Sequence, residues 1–226
     1  MKPMPWFPLS LFGWRFWLPM LTAGMVLTLT AAALSIPLAA AVLAITLACM
    51  AFFRDPPRRI PQGSGVMLSP ADGKITEISR MDHCDELGGP ALRIGIFLSV
   101  LDVHINRSPC DALVESTRYT PGEFLDARHP QCGQRNESNL IVLKTAGQSG
   151  GGERVAVIRQ VSGAIARRII APVYPNDRLG RGQRFGMIAF GSRTELILPQ
   201  PENWEVCVHV GQMVKGGKSI LLSRRK

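Results

Sequence analysis

Residues 194–223 read TELILPQPENWEVCVHVGQMVKGGKSILLS. Three short apolar stretches, 194–199, 204–210 and 218–223, are separated by Gln200-Pro201-Glu202-Asn203 and by a segment holding Gly211, Gly216 and Gly217. Runs this short, partly alternating and bounded by Pro, Gly and Asn, have the period and punctuation of strands. The pattern continues upstream in GKITEIS (73–79), LRIGIFLSV (92–100), NLIVLKT (139–145), RVAVIRQV (154–161), AIARRII (164–170) and FGMIAFG (185–191). No amphipathic helix of useful length interrupts them. The expected fold is mainly β, a barrel-sandwich-like antiparallel domain, with GGPALR (88–93) and GQSGGGERV (147–155) as exposed loops.

Further toward the N-terminus the chain changes character. Phe16–Phe53 is a run of 38 residues without Lys, Arg, His, Asp or Glu, its polar positions being Thr22, Thr28, Thr30, Ser35 and Thr46. A single helix of that length would be about 57 Å long, nearly twice a hydrocarbon core of about 30 Å. The run is therefore expected to fold back. Pro37 predicts the break, leaving LPMLTAGMVLTLTAAALS (18–35) and LAAAVLAITLACMAFF (38–53) as two helices. Lys2 and Arg15 precede the run and Arg54, Arg58 and Arg59 follow it, which by the positive-inside tendency keeps both ends in the cytoplasm. Trp6, Phe7, Phe12, Trp14, Phe16 and Trp17 cluster before and at its start, as in an interfacial aromatic belt. The second helix would be only about 24 Å long, so a re-entrant hairpin stays open beside a full span. The organisation read from sequence is a hydrophobic membrane-anchoring segment (1–53), a Pro/Gly/Arg linker (54–66) and a β-rich domain (67–226).

Charge follows the same division. Of 226 residues, 26 are Lys or Arg and 17 Asp or Glu, a net +9, of which Lys2 and Arg15 supply all that lies before residue 54. The remaining +7 belongs to residues 54–226, the linker and the β-rich part, where no interleaving of basic and aromatic residues points to nucleic acid. Cys49, Cys84, Cys110, Cys132 and Cys207 are odd in number and form no C-x-x-C pair, which suits a reducing compartment and neither a disulfide framework nor a metal site.

Three places could carry chemistry. Asp72-Gly73 stands at a strand entrance, where an ordinary turn explains it. His104 follows an apolar run, and a His there can act as an acid or base near neutral pH or be purely structural. Gly191-Ser192 lies between two apolar stretches without a G-x-S-x-G nucleophile elbow. A tight turn accounts for it, yet a hydroxyl beside a side-chain-free glycine can also reach the preceding carbonyl and convert the amide to a labile ester.

Taken in order, FFRDPPR (52–58), PADGKI (70–75), DVHINRSP (102–109), PGEFLDA (121–127), RFGMIAFGSRTELILP (184–199) and GQMVKGGKSIL (211–221) resemble the short bacterial and archaeal form of phosphatidylserine decarboxylase proenzymes. The resemblance spans essentially the whole chain. It implies self-cleavage between Gly191 and Ser192 into a β chain (1–191) and an α chain (192–226) that stay together as a heterodimer. Ser192 would become a covalent pyruvoyl cofactor that forms a Schiff base with the amine of phosphatidylserine and serves as electron sink for its decarboxylation to phosphatidylethanolamine. Asp72 matches the family's relay Asp. In longer relatives an H-x-x-H motif supplies two His; here it reads His104-Ile-Asn-Arg107, so His104 aligns with the residue tied to decarboxylation and Arg107 replaces the other. Membrane attachment at the cytoplasmic face follows from the lipid substrate. Arg54, Arg58, Arg59, Arg107, Arg167, Arg168, Arg181, Arg184, Arg193, Arg224, Arg225 and Lys226 are candidates to face anionic headgroups, about half of them as ordinary solvated positions. Homo-oligomers stay open. The competing reading is a non-enzymatic, membrane-anchored, lipoyl-like or adaptor protein in which Gly191-Ser192 is merely a turn.

Overall fold

A computed structural model describes residues 9–129, 131–145, 152–164, 168–189 and 191–225, and the chain divides into two compact units, Met1–Pro57 and Arg58–Lys226. Of the sequence-stretch expectations, Lys2, Trp6, Phe7, Arg167 and Lys226 lie outside the described residues.

The first unit is a helical hairpin of α1 (Trp14–Leu34) and α2 (Ile36–Ala51). The break falls at Ser35, whose φ of −165° and ψ of 131° are extended. Pro37 lies two residues later, inside the first turn of α2, where its missing N–H costs no helical bond. The buried seam is spaced by sevens, Trp17, Gly24 and Ala31 on α1 and Ala39 and Thr46 on α2. A Cβ on Gly24 would come within 2.4 Å of the Thr46 methyl, so this glycine sets how closely the helices approach. Thr22, Thr28, Thr30 and Thr46 each donate to a carbonyl three or four residues back, which leaves no hydroxyl bare on an apolar helix. Leu9 pairs with Arg54, and the Ser10 N–H donates to the Phe53 carbonyl at 2.7 Å, bringing the two ends of the hairpin together. Leu11–Leu34 is long and apolar enough to cross a membrane; α2, at 16 residues, is shorter.

The second unit holds β1 (Val66–Leu68), β2 (Gly73–Cys84), β3 (Gly89–Leu98), β4 (Ile105–Arg107), β5 (Ala112–Thr120), a short α3 (Cys132–Arg135), β6 (Ser138–Lys144), β7 (Arg154–Val161) and β8 (Ile169–Ile170). It continues through β9 (Arg178–Leu179), β10 (Arg184–Ile188), β11 (Ser192–Pro199), β12 (Trp204–Val206), β13 (Met213–Val214) and β14 (Ile220–Arg224). Eight strands form one curled antiparallel sheet in the order β13-β2-β3-β11-β7-β6-β5-β9, flanked by two three-stranded sheets, β1-β14-β12 and β4-β10-β8. Ile75, Ile94, Ile96, Leu98, Ile141, Leu143, Ile158, Leu196 and Leu198 line its inner face and pack with Phe185, Leu221 and Leu222 into the main core. Alternation sends Arg193, Glu195 and Ile197 of β11 to the other face, where Ile197 joins a smaller apolar cluster with Cys84, Ala91, Val142 and Val157. The mainly β expectation agrees with this architecture.

Some segments differ from their sequence reading. GGPALR is not a loop: the turn ends at Gly88 with φ +71°, β3 begins at Gly89, and Ala91 is fully buried. AIARRII contributes only Ile169–Ile170 among the described residues, while 147–151 of GQSGGGERV lie outside them and β7 starts at Arg154. β5 escapes sequence reading because Glu115-Ser116-Thr117-Arg118 breaks alternation at a bulge between Val114 and Ser116.

Gly73 opens β2 with φ +145°, and a Cβ there would lie 2.1 Å from the Phe97 carbonyl oxygen. Gly73→Ala is expected to cost about 3 kcal/mol from strain and clash. In thermal unfolding of the detergent-solubilised full chain this lowers Tm by about 6–12 °C; an unchanged Tm would contradict the strained turn.

Candidate active site

The candidate residues meet at the C-terminal end of β3. Ser192, the first residue of β11, pairs with Leu98 at that end, and Gly73 enters β2 against Phe97 on the opposite flank. Asp72 and Ser192 thus stand two strand spacings apart, about 9.6 Å between backbones. Past Leu98 the chain turns through Ser99–Asp102, with Asp102 Oδ2 accepting from both the Ser99 N–H and hydroxyl at 2.8 Å. This turn returns the chain to His104, which is wholly buried just before β4. Pairing of β4 with β10 then carries His104 to the end of β10, three residues before Gly191 begins the approach to β11.

His104 Nδ1 lies 2.9 Å from the Asp102 carbonyl oxygen. A carbonyl only accepts, so this contact places the proton on Nδ1 and makes Nε2 the acceptor. Nε2 faces the Gly191 N–H at 3.4 Å. Gly191 adopts φ +60°, a left-handed conformation that favours glycine, and Ser192 is fully buried with no hydrogen-bond partner for its Oγ among the described residues. An unpaired buried hydroxyl carries a desolvation cost of about 1–3 kcal/mol, which makes it a group held ready for a reaction or a ligand.

Asp72 is placed differently. Its Oδ2 accepts from Arg58 at 2.7 Å and its Oδ1 from the Gly216 N–H at 2.8 Å. Burial raises its pKa above the usual carboxylate value, against the opposing pull of Arg58. The structure brings His104 beside Gly191-Ser192, whereas Asp72 spends its hydrogen bonds on Arg58 and Gly216 and joins neither His104 nor Ser192 directly.

A sequence model of the phosphatidylserine decarboxylase family matches residues 45–222. A phosphatidylserine decarboxylase proenzyme of Rhodopirellula baltica is 39% identical over 220 residues, covering 92% of this chain and 90% of its own. One from Carboxydothermus hydrogenoformans is 39% identical over 214 residues, with 95% and 96% covered, and one from Desulfotalea psychrophila 43% over 176, with 78% and 79% covered. The chain belongs to the phosphatidylserine decarboxylase family.

Family membership places the chain among carboxy-lyases and overturns the non-enzymatic carrier reading. Several residues around this candidate site were invisible in sequence because their partners are remote. A buried amide chain runs from Asn139 Nδ2 to Gln160 Oε1 (3.0 Å), from Gln160 Nε2 to Asn106 Oδ1 (2.8 Å) and from Asn106 Nδ2 to Thr194 Oγ1 (3.1 Å). It ties β6, β7 and β4 to the strand that begins at Ser192. Three of the arginines considered for headgroups are committed inside the protein: Arg58 to Asp72, Arg107 to the Gly182 carbonyl, and Arg193 to Glu77 and Glu195. Their side chains are mostly buried, which removes them from any membrane-facing set.

The Arg193 guanidinium occupies space left by Gly95, where a Cβ would lie 2.5 Å from it. Glu77 bridges Arg193 and Arg93 and accepts from Ser79. Burial pushes the Glu77 carboxyl up, but those hydrogen bonds outweigh it and hold the pKa at about 2, below the ordinary 4.5. The stability Glu77 contributes is therefore complete above about pH 4.5 and is lost as pH falls toward 2. Glu77→Gln is expected to unfold at lower temperature than the parent at pH 7, with the gap closing across that acid window. A gap independent of pH would contradict the ionic role.

Proposed function

We propose that the chain is a pyruvoyl-dependent phosphatidylserine decarboxylase that matures by cutting its own Gly191–Ser192 bond. The observation that carries this reading is the buried Ser192 hydroxyl, without a hydrogen-bond partner among the described residues, following a left-handed Gly191 whose N–H faces His104 Nε2. In the first step Ser192 Oγ adds to the Gly191 carbonyl carbon, its proton leaves to a base, and the carbon–nitrogen bond breaks as nitrogen takes a proton, giving an ester. Loss of the Ser192 Cα proton and departure of the Gly191 carboxylate then leave a dehydroalanine, which tautomerises and, with water, releases ammonia to give the pyruvoyl ketone.

The surroundings fit such a group: Ser192 is sealed from solvent, and its position lies where the β4–β10 pair meets the large sheet. Pyruvoyl chemistry supplies a carbonyl that condenses with the substrate amine and accepts the electron pair released with carbon dioxide. His104, with its proton on Nδ1 and Nε2 turned to this site, is the residue to move a proton there. With Arg107 held at Gly182, His104 is also the base best placed for self-cleavage. Asp72 acts from the flank, anchored to Arg58 and to Gly216 of the α segment. After the cut, residues 192–226 would stay in place because β11 lies between β3 and β7 and β14 lies between β1 and β12. The N-terminal hairpin, whose ends meet at Leu9 and Arg54, would hold the enzyme on the cytoplasmic face, where a serine phospholipid presents its headgroup.

Carbon dioxide release from carboxyl-labelled phosphatidylserine in mixed micelles tests this. Ser192→Ala is expected to release none, and His104→Gln, in whatever fraction matures, to fall by about 100-fold or more. An active Ser192→Ala protein would overturn the reading, and matured His104→Gln with parental turnover would remove His104 from it.

A further inference from the structure

Gly163 lies just past the end of β7, and its φ is outside the left-handed region, so backbone conformation does not explain a glycine there. Space does. A Cβ at Gly163 would come 2.1 Å from the Gly191 carbonyl oxygen and 3.1 Å from the Gly191 carbonyl carbon, and real Cβ atoms essentially never approach closer than 3.0 Å. Ala127 Cβ, at 3.3 Å, is the next neighbour. Gly191 itself has open space around its own Cβ position. The wall against which the Gly191 carbonyl rests is Gly163.

Register places this wall one residue past the position opposite the nucleophile. β7 pairs with β11 through Val161 with Arg193 and Gln160 with Thr194, so continuing the ladder by one residue sets Ser162 across from Ser192. Ser162 Oγ is also buried without a hydrogen-bond partner among the described residues. The Gly191 carbonyl thus rests where the chain leaves the ladder, next in sequence or register to Ser192 and Ser162, whose buried hydroxyls have no hydrogen-bond partner among the described residues.

We propose that Gly163 is the positioning residue for self-cleavage: its missing side chain seats the Gly191 carbonyl so that Ser192 Oγ can attack the carbonyl carbon. This rests on the self-cleavage reading above. An added methyl would displace the carbonyl by the order of 1 Å, a misplacement that costs about 100-fold in rate. The contact is with a carbonyl outside any strand, so the Gly163→Ala precursor folds and remains uncut.

The test follows cleavage of freshly synthesised full-length protein by intact mass, with the parent chain as control. Gly163→Ala is expected to cut about 100-fold more slowly or not at all, with a parental circular dichroism spectrum. Hydroxylamine, which cleaves esters, releases no fragment from it because the acyl shift itself is blocked. Gly163→Ala/Ala127→Gly relieves the contact with Ala127 but not that with Gly191, and also stays uncut. Parental cleavage of Gly163→Ala, recovery in the double variant, or hydroxylamine cleavage at position 192 overturns the proposal. An unfolded Gly163→Ala does so as well, by assigning Gly163 to the fold. If the parent is not cut, the self-cleavage reading fails instead, a result separate from all of these.

Discussion

The antiparallel ladder between β3 and β11 is the constraint on which the rest depends. It pairs Leu98 with Ser192 and runs without interruption to Ala91 and Pro199. A one-residue slip would turn Ser192 to the opposite face and bring Arg193 into the core. The same strand, β3, is flanked on its other side by β2, so its C-terminal end gathers the Asp72 turn, the Ser192 strand start and the loop to His104. Position of the site is thus a property of one strand's end and of the register on either side of it.

Two kinds of polar structure protect that register. On the inner face the Asn139–Gln160–Asn106–Thr194 chain links four strands with each amide satisfied, and a misregistered strand would leave buried amides unpaired at about 1–3 kcal/mol each. On the outer face Arg193, two chain positions along the same strand from Glu195, reaches across to Glu77 through the gap at Gly95. A buried ion pair of this kind is weak as a source of net stability but severe when broken, so it discriminates between registers better than it stabilises any of them. Against this background Ser192 keeps a buried hydroxyl with no hydrogen-bond partner among the described residues.

Much of this was legible in the chain. β11, β7 and β6 show β-branched runs whose periodicity survives in the fold, and the uncharged N-terminal run announces a hairpin by length alone. Where reading failed, context outweighed local signal. Pro37 marks the turn only approximately because proline is tolerated in a helix's first turn, and extended Ser35 makes the break. Gly89-Pro90 looked like a loop, yet strand pairing with β2 and β11 draws the following residues into the core. His104 could be singled out from sequence, but the carbonyl that sets its tautomer could not. The roles of Arg58 and Gly163 depend on groups 14 and 28 positions away, separations at which no spacing rule operates.

On the self-cleavage reading, the buried Ser192 that follows left-handed Gly191 becomes the cofactor. Intact-mass analysis of the purified parent protein under denaturing conditions, after reaction with a ketone-specific hydrazide, tests it most directly. Two chains are expected, residues 1–191 and 192–226, with the hydrazide on the shorter one. A single unlabelled chain of 226 residues in a preparation that releases carbon dioxide from phosphatidylserine would contradict it.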